Sequence, residues 1–138
     1  MAQALSAAQL AYLAGEYSQM ASTVQAYQNA CASDSVFDPS FDPLLMEEQV
    51  QGLIEISQKL SNQAIATIFD DSDQIYRNLA TITQNANKVA ASLLQETNQI
   101  SRIAGIAGAM INLATALSSG IPANVVSSIV ACAKAVRS

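Results

Sequence analysis

The residues with reactive side chains are few, and their spacing suits no catalytic constellation. The chain has no histidine and two cysteines in 138 residues, which removes imidazole acid–base chemistry and histidine-ligated metals. Cys31 and Cys132 lie near opposite ends. Two distant thiols do not make a zinc site, and spacing alone does not pair them. They read as two small buried side chains. Asp34, Asp38 and Asp42 recur at i, i+4 and i+8. A calcium-binding helix–loop–helix site needs acids at alternate positions, a central glycine and a distal glutamate, and these are missing. Asp70, Asp71 and Asp73 form a second acidic group, which helix capping and solvation explain without a cation. No motif sets a base beside any serine. The chain reads as non-enzymatic, with no cofactor and no metal.

What remains is apolar spacing. From Ile75 the steps alternate +4 and +3 through Leu79, Ile82, Ala86, Val89, Leu93, Glu96, Ile100, Ile103, Ala107, Met110, Ala114 and Leu117. Every member but Glu96 is apolar, so the period is close to 3.5 and the stripe is a helix-packing seam. Ile75, Leu79, Ile82, Val89, Leu93 and Ile100 are its candidate interaction residues. No charged residue occurs between Arg102 and Lys134, so the seam runs into a charge-free end.

The elements that carry these residues are helices. Ser6 and Gln9 match a capping box at the start of a first helix over about 4–32. Its seam, Leu10, Leu13, Tyr17, Met20, Val24, Tyr27 and Cys31, keeps 3–4 spacing throughout. A loop follows, with a short duplication: Phe37, Asp38, Pro39 and then Phe41, Asp42, Pro43. Phe37 and Phe41 either dock a partner or fold back over the end of the bundle. Asp42 before Pro43 is a helix start, since the carboxylate caps free N–H groups and proline suits the first turn. A second helix is expected over about 43–69, burying Val50, Leu53, Leu60, Ala64 and Ile68, its face widened by Ile54, Ile56 and Ile65. Asp71 and Gln74 resemble another capping box, opening a third helix over about 73–117. Ser118, Ser119 and Gly120 end it, and Pro122 starts a fourth over about 122–137, carrying Val125, Val126, Ile129, Ala133 and Val136.

The expected fold is therefore all-α: a single helical domain forming an elongated antiparallel bundle of about four helices, one of them long and coiled-coil-like. A third helix of about 45 residues would be roughly 65–70 Å long. A compact domain of this size is only roughly 37 Å across. Either the molecule is a rod, which is the expectation, or that helix bends near Thr97 and Asn98 or near Gly105 and Gly108.

Composition narrows the partners. The chain is 51% apolar but only 12% charged, about half the usual charged share. A net charge of −5 argues against nucleic acid and against simple adsorption on anionic lipid. The charge is also unevenly placed. Residues before Arg77 hold ten acids and one base, whereas Arg77 onward holds five bases and only Glu96. That polarity can pair the two halves of one bundle or neighbouring subunits end to end. The first fourteen residues contain no Lys or Arg, so no cleavable signal peptide is read, and the expectation is a cytoplasmic chain or one exported by a signal-less route.

The apolar end defines the candidate functional region. Its arms, about 103–117 and 122–136, carry Ile103, Ile106, Met110, Leu117, Val126 and Ile129. Each is shorter than the roughly 20 residues that cross a bilayer. Ala104, Gly105, Ala107, Gly108 and Ala109 permit close helix approach in lipid and in tight soluble bundles alike. The leading expectation is a non-catalytic helical assembly or interaction protein, packing against itself or another helical protein. Weakly charged faces repel their copies little, which suits a filament, a shell or a secretion-related complex. The alternative is a membrane-active chain that inserts residues 103–136 into lipid. In layout such a hairpin is similar to that of helical pore-forming toxins, a resemblance that implies release of the hairpin from the bundle on contact with lipid.

Overall fold

A reciprocal cap opens the first helix. The Ser6 amide donates to the Gln9 side-chain oxygen at 2.9 Å, and the Gln9 amide donates to the Ser6 hydroxyl at 3.2 Å. Ser6 is thus the cap, and α1 spans Ala7–Ser33, starting three residues later than its apolar content implied. The computed structural model describes residues 2–33, 43–62, 67–94, 96 and 99–137. Within them follow α2 (Pro43–Ser61), α3 (Ser72–Ser92), α4 (Ile100–Leu117) and α5 (Pro122–Arg137). The class is all-α. The described residues form no strand, only an isolated antiparallel bridge between Gln3 and Phe69, closed by two 2.8 Å hydrogen bonds.

Five helices replace the expected four because the long third helix is broken. α3 ends at Ser92, Leu93 closes it in a helical conformation, and α4 restarts at Ile100 after Gln99. The reason lies in the length of the partner. α1 has 27 residues, or about 40 Å of helix, against which a continuous helix of about 45 residues would leave roughly two fifths of its stripe uncovered. Folding back places both halves against the same bundle. α1 contacts α2, α3 and α4, and α4 contacts every other helix. The second helix also ends early. Its expected extension to Phe69 fails because Phe69 pairs its backbone with Gln3, while the Thr67 hydroxyl donates to the Leu117 carbonyl and accepts from the Gly120 amide at 3.1 Å. Ala64 and Ile65 lie outside the described residues.

Contacts between helices give their directions. The Tyr17 hydroxyl donates to the Met110 carbonyl, and the Tyr27 hydroxyl accepts from the Gln99 amide at 2.8 Å. Ten residues on α1 thus match eleven on α4 running the other way, at 1.5 Å per residue on each. Gln9 donates to Asp73 and Asn87 to Glu16, so α3 runs parallel to α1. Ser57 donates to the Ala14 carbonyl and Gln49 to the Ala104 carbonyl. α5 returns antiparallel to α4 after a turn at Gly120, whose φ of 78° is the left-handed conformation that glycine adopts without a steric penalty. The result is an up-down-up-down-up bundle.

One buried cluster joins all five helices. The accessible surface of 7055 Å² is close to the about 6,900 Å² expected for a compact chain of 14.5 kDa. The expected rod and its coiled-coil-like helix are therefore replaced by a compact bundle.

Candidate interaction surface

The acidic group at 70–73 does structural work. Asp71 is the cap of α3, accepting from the Gln74 amide at 3.0 Å, and Asp73 accepts from the Gln9 side chain at 3.2 Å. Among the described residues no three His, Cys, Asp or Glu side chains gather as metal ligands. Asp34, Asp38, Asp42, Phe37 and Phe41 lie outside the described residues. Cys31 and Cys132 are both buried and are not joined by a disulfide. Burial pushes the Cys132 thiol up to about 11, so it stays protonated at neutral pH and is a poor nucleophile. Burial, and secondarily the neighbouring Cys132, raises the Tyr17 phenol far above its ordinary value. Its proton is held as a hydrogen-bond donor to α4. Neither group is poised for chemistry.

The expected seam is occupied within the chain. Leu79, Ile82, Leu93 and Ile100 are buried, while Ile75 and Val89 pack against the core from its edge. The first-helix seam behaves alike: all seven members from Leu10 to Cys31 are buried. These stripes build the bundle.

The hairpin divides. Ile103, Ile106, Met110 and Leu117 of α4 are at most 1% exposed, because α4 sits between α1, α2, α3 and α5. Among the described helices α5 packs against α3 and α4 alone, so one face is covered by them. Val125 and Cys132 fill it and Ile129 lies at its edge, while Val126 points outward at 50% exposure. Two further side chains join Val126 outside. Val130 and Ile121 are each 52% exposed. The seam pattern marks neither of them. The signal that does is a helix apolar on more than one side: Val125, Val126, Ile129 and Val130 cannot all face one neighbour.

On α4, α5 and the turn joining them, the exposed positions between Arg102 and Lys134 carry no charge. They are Ser, Thr, Asn, Gly, Ala, Pro, Ile and Val. A shallow groove of about 300 Å³ between the two helices is lined by Asn112, Thr115, Ser119, Asn124, Ser127 and Ser128. These neutral donors and acceptors can exchange hydrogen bonds with a partner at little desolvation cost compared with charges. A different surface lies on α2, where Leu44, Glu47, Glu48, Gln51, Gly52 and Glu55 line an open groove of about 410 Å³. A third groove, between α1 and α2, is lined mainly by Ser18, Ser22, Gln25 and Asn29 with Val50 and Ile54. None of the three places a nucleophile beside a base.

By length and composition α4 alone among the described helices is apolar enough to cross a membrane, and half of it is buried in the bundle. No known protein family, curated protein or solved structure matches the chain.

Proposed function

We propose that this chain is a non-catalytic helical assembly protein, acting by packing against further copies of itself or another helical protein in a structural or secretion-related complex. The observation that carries this reading is the outward face of α5 and the turn before it. There Ile121, Val126 and Val130 stand half exposed among neutral residues, with Lys134 and Arg137 following in the last turn of the helix. Soluble bundles ordinarily carry more Lys and Glu on such faces, and exposed apolar side chains set among mostly neutral polar groups are the composition of a contact surface. Covering the remaining half of each side chain contributes about 1 kcal/mol apiece. That falls short of the cost of association, about 4 kcal/mol or more, so hydrogen bonds or charges elsewhere must complete the contact.

A second reading is membrane activity. It rests on α4, whose 18 residues are apolar enough for a span. Ile103, Ile106 and Met110 are fully buried, so insertion requires the bundle to open first, and the assembly reading requires no such step. Flotation with neutral phosphatidylcholine vesicles separates the two. Assembly predicts that the protein stays at the bottom of the gradient as an oligomer. Co-flotation of the protein as a monomer would overturn it.

A further inference from the structure

Resting on the assembly reading above, we propose that copies of this chain associate head to tail, the outward stripe of α5 on one copy seating on the outward stripe of α2 on the next. On α2, Leu44, Glu47, Glu48, Gln51 and Glu55 recur at i, i+3, i+4, i+7 and i+11, and all are exposed. They line the open groove of about 410 Å³, with Leu44 74% exposed. On α5 the exposed stripe has the same spacing: Ala123, Val126, Ser127, Val130 and Lys134, followed by Arg137. One stripe combines an apolar residue with three carboxylates. The other combines two valines with two cations and contains no acid. α2 and α5 do not touch within the chain, so both stripes face outward at once.

Like pairing is disfavoured. α2 against α2 sets carboxylates opposite carboxylates, and α5 against α5 sets cations opposite cations. The unlike pair satisfies both, and complementarity of this kind selects partner and register. In a parallel arrangement the register is shared. Val126 and Arg137 are eleven residues apart, as are Leu44 and Glu55, so a valine beside Leu44 brings the guanidinium level with Glu55. The contact joins two different surfaces, so it repeats from copy to copy and yields a filament or a closed ring. It also gives the acidic first half and basic second half of the sequence a use between molecules.

Sedimentation velocity of the full chain over a concentration series tests this with charge reversal. The variants are Glu48→Lys with Glu55→Lys, Lys134→Glu with Arg137→Glu, and the fourfold combination. All four positions are exposed, and circular dichroism checks that helicity is kept. The expected result is that each double variant weakens association about tenfold or more, that mixing the two restores it, and that the fourfold variant assembles like the parent. Raising the salt from about 50 to 500 mM weakens the parent in the same direction, since exposed charges are screened. If the parent assembles while the reversals change nothing, or the mixture and the fourfold variant fail to recover, the head-to-tail contact is overturned and assembly through another surface stands. A parent that is monomeric at every concentration overturns self-association itself. Should one double variant not fold, the other variant and the salt series still decide between these outcomes.

Discussion

α1 and α5 are both rich in apolar residues, yet one is consumed by the bundle and the other is only half used. In α1 the apolar side chains fall on one stripe, and α2, α3 and α4 cover it so that none of Leu10, Leu13, Tyr17, Met20, Val24, Tyr27 or Cys31 is more than 4% exposed. In α5 the apolar residues encircle the helix while, among the described helices, only α3 and α4 flank it. Val125 is buried and its neighbour Val126 is half exposed. Burial is thus set by how many neighbours a helix has as well as by its own composition. Where apolar content exceeds the available cover, the excess becomes surface with an attraction for something else.

The largest effect expected from this contrast is a buried charge. Leu13→Asp on α1 or Leu93→Asp at the end of α3 places a carboxylate at a position at most 2% exposed. The cost is about 4 kcal/mol or more, enough to unfold the chain or nearly so. Denaturant melts followed by circular dichroism check it, and an unchanged midpoint for either variant would deny that the stripe is core. Next comes Met20→Ala, a cavity at a fully buried position, at about 2–5 kcal/mol by the same measurement. Tyr17→Phe removes the hydroxyl that bonds the Met110 carbonyl and should cost about 1 kcal/mol. Ser6→Ala dismantles the reciprocal cap of α1 for a similar loss of about 1 kcal/mol. The smallest effect on stability belongs to α5: Val130→Asp, at a half-exposed position, should change stability by no more than about 0.5 kcal/mol. A large loss there would mean that the outer valines serve the fold and would erase the contrast.

Much of the inner architecture is legible in the sequence. Unbroken 3–4 spacing marks the buried faces of α1 and α3, and the Ser6–Gln9 and Asp71–Gln74 pairs mark two helix starts. Helix continuity is not legible. The stripe from Ile75 to Leu117 keeps its phase through residues 93–99, so periodicity alone reads one helix where there are two. The only trace of the break is Glu96, the single polar member of the stripe, followed by Thr97 and Asn98. The end of α2 is hidden because Ile68 continues its apolar pattern, whereas Thr67 and Phe69 are held by tertiary hydrogen bonds to Leu117, Gly120 and Gln3 that no local pattern shows. The outward face of α5 is hidden for a related reason. Val126 fits the same apolar run as Val125 and Ile129, and only the number of flanking helices decides which of them turns away.

The most direct test of the outward face of α5 is sedimentation velocity on the parent chain and on a variant carrying Val126→Asp and Val130→Asp, compared across a concentration series at matched helicity. The parent should sediment as an assembly that grows with concentration, and the variant as a folded monomer throughout. A variant that assembles as well as the parent, or a parent that never leaves the monomer, would contradict the proposed role of this surface.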